Sequence, residues 1–166
     1  PDVSAAAADI VRHKAQGLLV DLSASKNDVE TLKSVDGLKA YPANLSAFTI
    51  LYLNNSQPPL NDKAVRQAIA QAIDIDDIIS NVIGGRALRA DSPLVPGTWA
   101  FDPSTARHKH DEGQAQDILE KAGWVLTGGS NVRTRNSQTL HISLLTDADA
   151  LRGAVAEEIA KQLREI

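Results

Sequence analysis

Residues 58–74 read PPLNDKAVRQAIAQAID and carry the clearest structural signal in the chain. Pro58-Pro59 interrupts regular structure, and Asp62 then stands where an N-cap accepts hydrogen bonds from free backbone N–H groups. The apolar residues that follow recur three and four apart, which predicts an amphipathic helix. Its core-facing stripe is predicted to be Val65, Ala68, Ile69, Ala72 and Ile73. Asp74 is placed to cap a second, shorter helix that Gly84-Gly85 ends, so we expect an angled helix pair.

Further helices and short strands are predicted on both sides of this pair. Helices are expected at Ser4–Gln16, from Asn27 or Asp28 to Val35, at Asp111–Ala122 and at Leu151–Ile166, with Gly17 and Gly123 ending the first and third. Strands are expected at Leu18–Leu22, Leu38–Ala43, Phe48–Leu53 and Leu140–Leu145, and both faces of Phe48–Leu53 are apolar enough for a central strand. This order lacks strict βαβ alternation, so the predicted fold class is α+β, with helices packed against a mixed sheet.

Length and composition limit the class of protein. The chain has 166 residues, 43% of them hydrophobic and 23% charged, which suits one soluble globular domain. A net charge of −4 without a Lys/Arg stripe argues against a nucleic-acid partner, and 4% aromatic residues argue against base stacking. The absence of Cys excludes disulfides and thiol catalysis. The chain starts at Pro1 and has no Met, so we expect a processed or excised piece of a longer protein.

Catalytic motifs are weak. Ser23 and Lys26 match the S-x-x-K spacing that sets a lysine amine beside a nucleophilic serine, but the S-D-N and K-T-G companions of that motif are missing. His13 and His141 have no neighbours in sequence that complete a Ser/His/Asp set. We therefore expect a protein that is not an enzyme and has no catalytic residue, with a small Ser-based or metal-assisted hydrolase as the less favoured alternative.

Two groups of residues have the chemistry of metal ligands. They are His108, His110, Asp111 and Glu112, and the carboxylates Asp74, Asp76 and Asp77. The simpler interpretation is that Asp111 and Asp74 are helix N-caps, because a helix N-terminus attracts carboxylates through its free N–H groups and its dipole. We expect no metal and no cofactor.

A series of short motifs runs from Tyr52 to Trp124 in a fixed order. It consists of Leu53-Asn54-Asn55, Pro58-Pro59-Leu60-Asn61-Asp62, Val65-Arg66-Gln67-Ala68-Ile69, Ala72-Ile73-Asp74, Ile78-Ile79, Gly84-Gly85, Ser92-Pro93, Pro96 to Trp99, Asp111, Ala115, Leu119 and Ala122-Gly123-Trp124. This series resembles the family 5 extracellular solute-binding proteins, the oligopeptide-, dipeptide- and nickel-binding receptors of ABC importers. Looser matches on both sides extend the resemblance over almost the whole chain.

The resemblance implies a binding protein whose two lobes close on a small solute, with a peptide as the leading expectation. Residues 1–166 would form a single domain, a fragment of the C-terminal lobe in a type II periplasmic-binding-protein-like fold. The implied partners are the solute, the remaining lobe of the same chain and the permease subunits of an ABC importer. The implied location is periplasmic or extracellular, with the protein either free or membrane-anchored as a lipoprotein.

The resemblance also implies which residues contact solute. Phe48–Asn54 looks like the strand that enters this lobe beside the cleft, so Tyr52 and Asn54 are candidate wall residues. Trp99, on the long loop 86–109, is a third candidate. Structural packing is the competing interpretation for each of the three. The alternative function is a free-standing α+β protein-interaction domain that docks a partner through exposed apolar surface.

Overall fold

The computed structural model describes residues 3–20, 24–41, 43, 48–94, 96–105 and 108–166. Ser23 of the S-x-x-K pattern and the last two residues of the predicted strand 18–22 lie outside the described residues. The chain divides into two compact units, Pro1–Ala47 and Phe48–Ile166, which are described separately.

The described residues of the first unit form two helices, α1 (Val3–Val11) and α2 (Lys26–Lys33), which pack against each other. Ala7 from α1 and Leu32 from α2 are the buried apolar residues described in this unit. Both helices were predicted from the sequence, and the structure confirms that they exist.

The ends of these helices differ from the prediction. α1 stops well before Gly17, because His13 takes up the left-handed conformation (φ 57°) that closes the helix. α2 is capped by Ser25 instead of Asn27 or Asp28. The Ser25 side chain accepts from the Asp28 N–H at 3.1 Å, and the Asp28 carboxylate accepts from the Ser25 N–H at 3.0 Å. The two bonds form a reciprocal capping box, in which Ser25 is the N-cap and Asp28, in the first turn, accepts from the N-cap backbone.

The second unit holds the remaining helices and a small sheet. Its elements are α3 (Lys63–Ala72), α4 (Ile75–Asp77), a π-helix (Ile78–Val82), α5 (Glu112–Lys121), β1 (Val125–Leu126), β2 (Arg133–Arg135), β3 (Gln138–Thr139) and α6 (Ala150–Arg164). Within the described part of the chain, every helix is too short or too polar to cross a membrane.

The core of the second unit lies where α3 packs against α5. Its buried residues are Val65, Ala68, Ile69 and Ala72 from α3, Ala115 and Leu119 from α5, and Trp124. The predicted α3 stripe is thereby confirmed, with Ile73 half-buried at its end. Three of the seven core residues are alanines, which let the two helix backbones approach closely.

The three predicted aspartate N-caps of this unit are confirmed. Asp62 accepts from the Ala64 N–H at 2.9 Å, and Asp74 accepts from the Asp77 N–H at 2.9 Å. Asp111 accepts from the Gln114 N–H at 2.8 Å. The backbone N–H of Asp111 also donates to the Gln71 carbonyl at 2.9 Å, so the start of α5 is tied to the end of α3.

The sheet is an antiparallel meander in the order β1-β2-β3. Asn136 and Ser137 join β2 to β3 with φ values of 51° and 64°, which is the two-residue type I′ turn that fits twisted strands. The α+β class is confirmed. The ladder that the described residues form is antiparallel, however, where we expected a mixed sheet, because connections this short can join only antiparallel neighbours.

The four predicted strands are wrong in the residues that the structure describes. Residues 18–20, 38–41, 43, 48–53 and 140–145 form no strand, although the Leu140 N–H donates to the Arg133 carbonyl at 2.8 Å and so extends the pairing of β2 with β3 by one residue. A strand needs a neighbour for its N–H and C=O groups, and within the described residues no ladder forms along the rest of these segments. The 140–145 segment keeps the alternation of a strand even so: Leu140, Ile142 and Leu144 are half-buried, and the residues between them are exposed.

Candidate functional site

The segment Phe48–Leu53 leads to two of the predicted wall residues. Only its last residue, Leu53, packs against the core. Tyr52 is 84% exposed, and Asn54 is exposed as well. The Asn54 side-chain oxygen accepts from the Ser56 N–H at 3.1 Å, so Asn54 also stabilises the turn that leads toward α3. Asn54 therefore has a local structural role, whereas the Tyr52 ring faces solvent.

Trp99, the third predicted wall residue, is 100% exposed in the loop 86–109. A fully exposed indole is unusual, because tryptophan buries a large apolar area whenever a neighbour is available. A turn holds the chain around it, since the Phe101 N–H donates to the Thr98 carbonyl at 3.2 Å. Trp99 therefore stands out from a defined backbone.

One cleft of the second unit, of about 390 Å³, lies between the end of α3, the start of α5 and the end of α6. It is lined by Ala72, Asp74, Asp77, His110, Glu112, Glu158, Lys161, Gln162 and Glu165. A second, smaller cleft, of about 60 Å³, lies within the loop around Arg89. Tyr52, Asn54 and Trp99 line neither of these two clefts, and the Tyr52 and Trp99 rings are exposed to solvent.

The larger cleft gathers members of both predicted metal-ligand groups, and the two aspartates among them already have protein partners. Asp74 caps α4, and its backbone N–H donates to Gln162 Oε1 at 2.9 Å. Asp77 accepts from the Asn81 side chain, and Glu158 pairs with Lys161 at 3.1 Å. Among the residues that the structure describes, no three His, Asp or Glu side chains come together as metal ligands. The hydrolase alternative gains no support from this cleft.

Two arginines of β2, which the sequence analysis did not single out, join the hairpin to the helices. Arg133 is buried and donates to the Trp124 carbonyl at 3.0 Å, to Glu120 at 3.4 Å and to the Ile166 carbonyl. Arg135 pairs with Asp62 at 2.6 Å and lies over the Trp124 ring, 4.4 Å from its centre. The alternating Arg-Thr-Arg of β2 could have suggested that two cations share one face.

The charge on Asp62 depends on these contacts. Burial raises the pKa of Asp62, but the Ala64 N–H, the Arg135 guanidinium and the Trp124 indole outweigh it, so the net pKa is lowered. The indole Nε1 is buried, and no acceptor in the described residues meets hydrogen-bond geometry. Its contribution to Asp62 is therefore a weak electrostatic one, and Arg135 and the backbone N–H stabilise most of the charge.

Comparison with known proteins places this scaffold among binding proteins. The model of the family described as bacterial extracellular solute-binding proteins, family 5 Middle, matches residues 3–166. The chain therefore belongs to this family, as the motifs between Tyr52 and Trp124 predicted.

Individual relatives are similar over a large part of the chain. A nickel-binding periplasmic protein of Escherichia coli K12 is 34% identical over 118 residues, which is 70% of this chain and 22% of that protein. The oligopeptide-binding protein AppA of Bacillus subtilis is 25% identical over 169 residues, covering 100% of this chain and 30% of that protein.

Two solved structures share the fold. The crystal structure of NikA from Brucella suis with Fe(III)-EDTA has a TM-score of 0.63 at 30% identity and covers 68% of this chain. The structure of Bacillus subtilis AppA with a nonapeptide has a TM-score of 0.68 at 25% identity and covers 99%. The chain spans 22% to 32% of the length of these relatives.

Proposed function

We propose that the chain is part of the substrate-binding component of an ABC importer for peptides or a related small solute. The observation that carries the proposal is the family match over residues 3–166. The names of the relatives support it, since they are described as nickel-binding and oligopeptide-binding proteins. This role involves no bond making or breaking and needs no cofactor.

The proposed place of residues 1–166 is within the C-terminal lobe of a longer protein with a type II periplasmic-binding-protein-like fold. The relatives support the longer protein, because the chain spans at most 32% of their length. The segments 48–53 and 141–145 support it as well. They carry apolar side chains in strand-like order but have no ladder partner in the described residues, as expected if other parts of the polypeptide supply the neighbouring strands.

The proposed mechanism is closure of two lobes around the solute. Contacts on both lobes favour the closed form, so solute binding shifts the population from open to closed. The ABC permease would then recognise the closed form. The relatives named as periplasmic support a periplasmic or extracellular location. A lipid anchor is a further part of the proposal.

The proposed wall of this lobe consists of Tyr52, Asn54 and Trp99. The exposure of 84% for Tyr52 and 100% for Trp99 favours surface contact over packing. Both rings are amphipathic, because each combines a large apolar area with one hydrogen-bonding group. Such rings can lie against peptide backbone and apolar side chains alike.

The isolated 166-residue chain is expected to bind peptides weakly, because it supplies one of two walls. Isothermal titration with trialanine should give a dissociation constant weaker than about 1 mM, the level that roughly 4 kcal/mol of binding free energy would provide. The complete polypeptide that carries this chain is the control. Binding of trialanine by the isolated chain at micromolar concentration would contradict the two-wall mechanism.

Tyr52→Ala and Trp99→Ala are each expected to weaken trialanine binding by the complete receptor by about tenfold, because each removes a solvent-exposed aromatic contact. Tyr41 offers a matched control, since it is 83% exposed and lies in the first unit. Tyr41→Ala should leave the dissociation constant unchanged. Equal effects of Tyr41→Ala and Tyr52→Ala would contradict the assignment of the wall.

A free-standing interaction domain remains the second candidate, because the same exposed apolar segments could contact a protein partner. The reading frame distinguishes the two candidates. A start codon directly before Pro1 and a stop codon after Ile166 would favour the interaction domain.

A further inference from the structure

Arg89 makes three polar contacts at the base of the loop that carries Trp99. Its Nε donates to Asp91 Oδ1 at 2.7 Å, its Nη1 to Asp76 Oδ2 at 3.0 Å and its Nη2 to the His108 carbonyl at 2.8 Å. The Arg89 and Asp91 side chains are 12% and 14% exposed, so their pair is largely shielded from water, whereas the Asp76 side chain is 72% exposed. The Arg89 guanidinium thus binds two carboxylates and one carbonyl at the same time.

The three partners of Arg89 lie at different places along the chain. Asp76 belongs to α4, Asp91 lies two residues after Arg89, and His108 lies 19 residues after Arg89. The contact with His108 therefore brings the two ends of a long loop together and fixes them to a helix. Loops whose ends meet in this way and which pack on themselves are compact structures and frequently functional.

Loop residues on both sides of Trp99 lie around the same small cleft as Arg89. This cleft, of about 60 Å³, is lined by Arg89, Asp91, Pro96, Phe101 and Pro103 among others. The Trp99 ring itself stands in solvent. Trp99 is therefore flanked in sequence by residues that share a cleft with Arg89, although it does not line that cleft itself.

From this geometry we infer that Arg89 is a positioning residue for the solute wall: it closes the loop and determines where Trp99 stands. The functional part of this inference rests on the proposed function, in which Trp99 contacts solute. Preorganisation is the physical reason, because a ring already held in place loses less conformational freedom when it binds.

Arginine is required at this position by geometry as well as by charge. The planar guanidinium presents N–H groups in several fixed directions and can satisfy two carboxylates and a carbonyl together. A lysine ammonium is a point charge on a flexible stem and cannot reproduce that fork. Arg89→Lys should therefore restore only part of what Arg89→Ala removes.

The loop can change without loss of the core. Within the described residues, none of the buried core residues of the second unit lies between 86 and 109. Arg89→Ala takes the Arg89 cation away from the Asp91 carboxylate, which is only 14% exposed, so it should lower the urea midpoint of the second unit while the core stays folded in the absence of urea. The backbone N–H of Trp124, in the core, reports whether the fold is kept, and this separates positioning of Trp99 from general support of the fold.

The test is ¹⁵N relaxation of the 166-residue chain, read at the backbone N–H of Trp99. The wild-type order parameter should be about 0.85, and Arg89→Ala should lower it below about 0.6, with Arg89→Lys in between. The N–H of Trp124 should not change. Lys109→Ala, which removes an exposed cation beside His108, is the matched control and should behave as wild type. An unchanged Trp99 order parameter in Arg89→Ala would overturn the inference.

A double-mutant cycle on the complete receptor then tests the functional part with trialanine. If Arg89 acts through Trp99, Arg89→Ala should weaken binding several-fold in the wild type but have no further effect in Trp99→Ala. Additive losses would show that Arg89 does not act through Trp99 and would overturn the inference. If Trp99→Ala leaves affinity unchanged while Arg89→Ala still mobilises the loop, the proposed wall is wrong and the structural role of Arg89 stands.

Discussion

Replacing Trp124 with alanine is expected to lower the free energy of unfolding of the second unit by about 3–5 kcal/mol, the usual cost of deleting a fully buried aromatic side chain. Trp124 is 2% exposed and belongs to the core between α3 and α5. It also completes the end of α5. Its N–H donates to the Leu119 carbonyl at 2.9 Å, and Gly123, at φ 86°, donates to the Glu120 carbonyl at 2.9 Å. This pair of bonds is a Schellman motif, with Trp124 and Leu119 as its apolar contact.

Urea denaturation followed by circular dichroism measures this loss, and the second tryptophan is the control. Trp99→Ala removes the same side chain from a fully exposed position and should change the free energy of unfolding by less than about 0.5 kcal/mol. Trp124→Phe should cost less than Trp124→Ala, because it keeps a ring beneath Arg135 and removes an indole N–H that lacks an acceptor. Similar losses for Trp99→Ala and Trp124→Ala would contradict this account of the core.

Asp62→Ala is expected to lower the free energy of unfolding by about 2–3 kcal/mol, since it removes an N-cap and leaves a half-buried arginine without its carboxylate. The Asp62 carboxylate caps α3 with one oxygen and binds Arg135 with the other, so one side chain joins the helix to the hairpin. Asp62→Asn keeps a cap but not the ion pair, and it should cost about 1 kcal/mol. A larger loss in Asp62→Asn than in Asp62→Ala would contradict this division.

The same pair predicts a pH dependence. The pKa of Asp62 is lower in the folded chain than its ordinary value, because the Ala64 N–H and Arg135 outweigh the effect of burial. The charged Asp62 carboxylate therefore stabilises the fold fully at pH values above about 4, which is the pKa of an aspartate in the unfolded chain. This stabilisation is lost as the pH falls through the lower pKa that Asp62 has in the folded chain. The difference in unfolding free energy between wild type and Asp62→Asn should therefore shrink below about pH 4. A constant difference from pH 6 to pH 3 would contradict the role of the Asp62 charge.

The helices could be predicted from the sequence because their signals are local. The α3 stripe and the caps Asp62, Asp74 and Asp111 depend on spacings of two to four residues, and the structure confirms each of them. The end of α1 was mispredicted even so, because His13 takes the left-handed conformation before Gly17 is reached. The pattern of side chains could not reveal this, because a single non-glycine residue at a helix end can adopt the left-handed conformation.

The strands could not be predicted in the same way, because a strand depends on a neighbour that local sequence does not specify. The residues of Phe48–Leu53 suit a strand, but the described part of the chain gives it no ladder. The candidate site has a similar limit. Family motifs led to Tyr52 and Trp99, whereas Arg89 escaped notice because its partners Asp76 and His108 lie 13 and 19 residues away.

The two tryptophans also serve as intrinsic fluorescence probes. They are the only two in the 166-residue sequence, and one ring is 100% exposed while the other is 2% exposed. Iodide in solution reaches the Trp99 indole and not the Trp124 indole, so quenching separates their emission. The shielded, blue-shifted component then follows unfolding of the core, and the quenchable, red-shifted component follows whatever touches the tip of the loop. Binding and stability can be read from one unlabelled sample in one spectrum.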